Sequence, residues 1–196
     1  MIRLIFVLPL LATLFGCASV RQGSVRPEAE TATRQALYAL ESWRMEGRLG
    51  VQTSSDAWQA SLFWEHEPAQ DRLRVSGPFS QGMVSIVVQK DLILINEGNG
   101  VTHTSRDQDA LLRERLGFVV PLASLRYWIL GVPDPAQSAV PLPAVSGASS
   151  GFEQAGWLVR VERSRDLENR KLPQKLQVQG HGVKLKIVSD IWEIRG

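Results

Sequence analysis

The chain has few of the residues that usually mark a reaction mechanism. One of its 196 residues is cysteine, Cys17, so no disulfide within the chain can brace the fold. Its three histidines, His66, His103 and His181, lie far apart, and no His-x-x-x-His or Cys-His pattern offers metal-ligand spacing. Phosphate loops, dinucleotide fingerprints and G-x-S-x-G elbows are all missing. Glu65, His66 and Glu67 sit together but read as a solvated turn. Asp107 and Asp109 flank Gln108 where a helix dipole favours acidic side chains. Charge is nearly balanced, 22 basic residues against 20 acidic, with no basic block. The electrostatic footprint of a nucleic-acid binder is therefore missing. These absences predict a protein that is not an enzyme, needs no cofactor or metal and has no nucleic-acid partner.

What is present begins at the N-terminus. Arg3 precedes the run Leu4–Phe15, which is apolar apart from Pro9 and Thr13. As a helix these residues span about 18 Å, short of a hydrocarbon core of roughly 30 Å. The run reads as a secretory signal and not as a membrane span. It ends in Leu14-Phe15-Gly16-Cys17, which resembles the lipobox at which bacterial lipoproteins are cleaved and acylated. Leu14 and Gly16 fit that pattern, whereas Phe15 is bulkier than the usual small residue. Residues 1–16 are thus expected to be a lipoprotein signal peptide, with lipidation on Cys17. The following residue is Ala18. The enterobacterial inner-membrane retention signal would place Asp there, so its absence points to the outer membrane of a Gram-negative cell. The chain would be lipid-anchored and face the periplasm.

Residues 17–30 are small and polar and read as a flexible tether, leaving 31–196 as one domain. Ala36, Leu37 and Leu40 recur at helical spacing within 29–42. Strand patterns follow at 43–53, 57–65, 71–76, 83–89, 91–97 and 101–104, and return at 156–164, 173–180, 182–189 and 191–195. Between the two groups, 107–116 has helix-end signals, and 121–131 is apolar over most of its circumference. Residues 132–150 hold four prolines and predict no regular structure. About eleven half-buried antiparallel strands must close on themselves or be covered. The expected fold is mainly β: an unclosed antiparallel barrel with three helices as a lid over a hydrophobic interior.

Two features stand out from that background. Trp58, Ala60, Leu62 and Trp64 share one strand face, with Phe63 the exception on the other. The six tryptophans suggest an interior lined by large apolar side chains, and alternation alone leaves open whether it is filled or hollow. The second feature is the turn SGPFSQG at 76–82, where Phe79 is a large aromatic among ordinary turn residues. It either folds back or meets something apolar.

LFWEHEPAQDRLRVSGPFSQG, VPLASLRYWILGVPDP and LPQKLQVQGHGVKLKIVSDIW, behind a lipobox and the Trp43…Gly47-Arg48 strand, resemble the LolB family of outer-membrane lipoprotein receptors. The most specific match is P-L-x-S-L-R-x-W-I-L-G-x-P, from Pro121 to Pro133. The resemblance implies an open barrel whose lid helices cover an acyl-chain cavity. It implies as partners the periplasmic carrier LolA, the acyl chains of cargo lipoproteins and the inner leaflet of the outer membrane, with the receptor acting as a monomer. It also implies that Pro78-Phe79 is a membrane-insertion loop. Strand alternation then assigns the cavity wall to Trp58, Leu62, Trp64, Leu73, Val75, Leu125 and Trp128. Two other functions compete with the receptor reading. One is a structural or assembly lipoprotein with a filled core and a protein-binding surface. The other is an envelope hydrolase, for which no nucleophile with an adjacent base is evident.

Overall fold

The computed structural model of the protein describes residues 27–77, 82–143 and 150–195. Cys17, Pro78 and Phe79 lie outside them. In chain order, α1 (Pro27–Tyr38) leads into β1 (Ser42–Gln52), β2 (Ala57–Glu67), β3 (Gln70–Ser76), β4 (Met83–Gln89), β5 (Leu92–Asn96) and β6 (Thr102–Ser105). The helices α2 (Gln108–Leu116) and α3 (Leu122–Trp128) interrupt the strands. The sheet resumes with β7 (Val140–Pro141), β8 (Ser150–Gln154), β9 (Trp157–Leu167), β10 (Arg170–Gly180) and β11 (Val183–Arg195).

All the strands belong to one antiparallel sheet, ordered β6-β5-β4-β3-β2-β1-β11-β10-β9-β8-β7. The first and last strands pair in its middle, and two meanders run outward from them. The edges, β6 and β7, do not pair with each other, so the sheet is unclosed. It nevertheless wraps around its contents: Ile93 of β5 and Val159 of β9, near opposite edges, belong to one buried cluster. That cluster also takes in Leu111 and Leu112 of α2 and Leu122, Leu125 and Trp128 of α3. The helices therefore cover the concave face, and the apolar stripe of each strand is buried against them.

Local chemistry accounts for the helix ends. Asp107 caps α2, its carboxylate accepting the Ala110 N–H at 2.9 Å, and Gly117 closes the helix at φ 79°. Asp107 is thus a cap residue just outside the helix that the sequence begins there. α1 ends at Tyr38, earlier than the expected Ser42, and starts at Pro27, inside the expected tether. Leu37 and Leu40 are buried, while Ala36 of the same predicted face is exposed.

Phe63 breaks the alternation of β2 because the outer face also offers it partners. Its ring lies between the guanidinium groups of Arg44 and Arg74, 5.0 and 4.1 Å from the centroid. The strands expected at 182–189 and 191–195 are one strand with a bulge. Glu46 pairs with Ile191 and Gly47 with Ser189, so Asp190 has no partner on β1. Before the bulge Val183, Leu185, Ile187 and Ser189 point inward; after it Trp192 does. Ser189 Oγ and Trp192 Nε1 then both donate to the Pro173 carbonyl, at 2.6 and 3.0 Å. A Cβ on Gly47 would stand 2.0 Å from the Val188 carbonyl oxygen, which only a backbone shift could relieve. Gly47→Ala is expected to cost about 3 kcal/mol, the upper part of the overpacking range. A urea melt checks this, and an unchanged midpoint would show that the bulge tolerates a side chain.

Two strands were not legible. β7 lies inside the proline-rich segment, and β8 carries Gln154 at an inward position where alternation calls for an apolar residue.

Candidate functional site

Where α2 and α3 arch over β1–β4 and β11, the core does not fill completely. A cavity of about 370 Å³ remains. Cross-strand pairs build its wall: Leu62 opposite Val75, Trp64 opposite Leu73, and Val75 opposite Val84. Leu125 of α3 and Leu112 and Leu116 of α2 close it from above. The lining includes no charged residue. Six of the seven residues assigned to the wall from sequence, Trp58, Leu62, Trp64, Leu73, Val75 and Leu125, do meet in this one space. Their exposures differ: Leu62, Trp64 and Leu73 are buried floor, while Trp58 and Val75 are half-buried and face the opening. Phe118, just past α2, leans on Trp58 with ring centroids 6.5 Å apart.

The rim includes Gly77 and Gly82, whose backbones meet through a 3.1 Å hydrogen bond from Gly77 N–H to the Gly82 carbonyl. These residues are the two feet of the β3–β4 loop. The cavity mouth therefore lies where β3 ends and the chain enters β4.

The seventh residue, Trp128, does not line this cavity. It is fully buried, 5.9 Å from the Trp157 ring, and its indole N–H donates to Gln154 Oε1 at 2.8 Å. A buried indole needs an acceptor, and that acceptor pulls the ring toward β8 and away from the void. Of the α3 residues before Trp128, Leu122 and Leu125 line the first cavity. Leu130, Gly131 and Val132 after it line a second one, of about 620 Å³, against α1 and β8–β10. Trp128 and Ile129 line neither and lie between them in the chain. Sequence reasoning missed the second cavity because its walls come from the proline-rich segment and from β8.

The wall between the two is held by polar bonds. Gln154 is 1% exposed, yet both halves of its amide are occupied. Oε1 accepts from Trp128 Nε1 and from the Asp134 N–H; Nε2 donates to the carbonyls of Asp134 and Gln137. The Asp134 carboxylate accepts from Ser124 Oγ at 2.8 Å. From the other side Tyr38 donates its hydroxyl to the Pro133 carbonyl at 2.8 Å. Burial raises the Tyr38 phenol above its ordinary pKa, which keeps that donor protonated.

The acidic-histidine trio is not a solvated turn. It lies at the end of β2, and its members diverge. Glu65 pairs with Arg195 at 2.9 Å, Glu67 accepts from Gln70, and His66 bonds Asp71 at 2.9 Å beside Trp43. Asp71 also accepts from Trp64 Nε1, so its partners are structural.

An unclosed antiparallel sheet, wrapped with helices around a charge-free cavity, defines a fold with room inside it for an apolar group. The fold is shared with a solved structure: a LolA superfamily protein from Nitrosomonas europaea superposes with a TM-score of 0.50 at 9% identity, covering 88% of this chain and 95% of its own. At the level of sequence, the family described as "Outer membrane lipoprotein LolB" matches residues 41–192, and the chain belongs to that family. Among its relatives, the outer-membrane lipoprotein LolB of Cellvibrio japonicus is 30% identical, covering 99% of this chain and 98% of its own. That of Ectopseudomonas mendocina is 29% identical over 100% of this chain and 98% of its own. The family serves lipoprotein localisation and is not a family of enzymes. No helix among the described residues is long and apolar enough to cross a membrane.

Proposed function

We propose that the protein is an outer-membrane receptor that accepts lipoproteins from the periplasmic carrier LolA and inserts them into the membrane. The observation that carries this reading is the charge-free cavity under α2 and α3, whose mouth is shared with the feet of the β3–β4 loop. Each acyl CH₂ kept from water is worth about 0.8 kcal/mol, so a lipoprotein's chains do not cross an aqueous gap unaided. A receptor must offer them an apolar wall and still release them. Trp58, Leu62, Trp64, Leu73, Val75 and Leu125 supply that wall here. A filled-core assembly lipoprotein would have no use for such a space.

Transfer without ATP or metal then needs only a ladder of affinities, from carrier to receptor to bilayer. An acyl anchor on Cys17 and the tether behind it let the domain reach both the carrier and the inner leaflet. Pro78-Phe79, which the chain carries between Gly77 and Gly82 of the cavity rim, would enter the bilayer first. The chain passing out of the cavity then meets lipid before water.

Mixing the protein with a carrier–lipoprotein complex and following the cargo tests the proposal. Cargo should move to the receptor; retention on the carrier at equilibrium would overturn the assignment. Phe79→Glu should still accept cargo but deliver little of it to membranes, because a carboxylate at the tip resists entry into the hydrocarbon. Normal delivery by that variant would return Phe79 to an ordinary turn residue.

A further inference from the structure

The second cavity has a different chemistry from the first. Its floor is apolar, formed by Leu37 of α1, Leu130, Phe152 and Val161. Its lip carries two cations, Arg34 of α1 and Lys171 of β10. The carboxylate in its lining, Asp134, is turned into the protein. One oxygen accepts from Ser124 and Gln137, the other from the Ala136 N–H. Lys171 is exposed and forms no ion pair among the described residues, and its cross-strand neighbour Asp166 does not reach it. At about 620 Å³ the space is of the size that holds one small ligand.

An apolar floor under a cationic lip matches an amphiphile whose charge is negative. We propose that this cavity binds a single acyl chain bearing an anionic head group. The chain lies on Leu37, Phe152 and Val161, and the head sits at Lys171 and Arg34. The head is a carboxylate or a phosphate, so the ligand is a fatty acid or the anionic end of a phospholipid. Because the two cavities share no lining residue, this site can be occupied whether or not the first one holds cargo. It goes beyond the receptor reading and does not depend on it.

The test uses the chain from residue 18 onward, which contains every described element. Laurate, lauroyl-lysophosphatidylglycerol and dodecanol are titrated calorimetrically below their micellar concentrations. Saturable binding of the anionic amphiphiles is expected, with dodecanol at least tenfold weaker. Laurate alone would assign the head as a fatty-acid carboxylate, the lysolipid alone as a phospholipid head, and both together as any anionic head. Lys171→Glu, at an exposed position, should weaken the anionic ligands at least tenfold and leave apolar-dye binding to the first cavity unchanged. Ser164→Trp, which narrows the cavity from a half-buried position, should weaken them as well. The proposal is overturned if neither anion saturates, if dodecanol binds as tightly as laurate, or if Lys171→Glu has no effect. Loss of dye binding with Lys171-dependent laurate binding intact would sink the receptor reading and leave this one standing.

Discussion

Val75→Glu is expected to weaken the binding of a solvatochromic apolar dye at least tenfold at pH 8, with little loss of fold stability. Val75 faces the first cavity from β3, between Leu62 and Val84 on its neighbours, and is only half-buried. A carboxylate there draws water onto a wall that otherwise carries no charge. Displacing even two CH₂ groups of a ligand from that wall costs about 1.6 kcal/mol, somewhat more than a factor of ten. The effect should depend on pH in a stated direction. Burial disfavours the charged carboxylate and raises its pKa. As pH falls through that raised value the side chain becomes neutral, and dye affinity should partly return at pH 5. Val75→Leu should bind the dye about as well as the parent chain. Unaltered affinity of Val75→Glu at pH 8 would show that the dye, and by extension an acyl chain, is held elsewhere.

Gln154→Leu should be the most destabilising single change on the concave side, by about 4 kcal/mol. The substitution keeps roughly the same volume, so no void is created. It removes four hydrogen bonds at once: two accepted from Trp128 and Asp134, and two donated to the carbonyls of Asp134 and Gln137. Each buried group left without a partner costs about 1–3 kcal/mol, and water entering from the Gln137 side would offset part of the sum. For a domain of this size the melting temperature should fall by roughly 8–16 °C. A fall of no more than 2–3 °C would mean that the wall between the cavities is held by packing and not by the Gln154 amide. Dye binding to the first cavity offers a second readout, since a loosened Trp128 lets the two spaces merge.

Much of the site was written locally. Period-two alternation placed Trp58, Leu62, Trp64, Leu73 and Val75 on one face, and antiparallel pairing forces residues of one face together. The same logic failed at Trp128. A helix apolar around most of its circumference does not tell which side each residue takes, and the choice was made by one acceptor on β8 that lies 26 residues away. Alternation also failed at Asp190. A bulge changes the inward parity in mid-strand, and nothing in VSDIWE marks it except the polar Asp between two apolar stretches.

By itself the sequence determined most of the strand faces, the end of α2 at Gly117 and the family, because each rests on neighbours in the chain or on motif spacing. Only the tertiary structure decided that the interior is partly hollow and divided into two cavities. Void volume is a difference between the space enclosed by the curled sheet and the side chains that enter it, and no local pattern encodes that difference. The division depends on Trp128 and Gln154 finding each other across the fold. The charge on the second cavity's lip depends on α1 lying beside β10, a contact between the first described helix and a strand more than a hundred residues later.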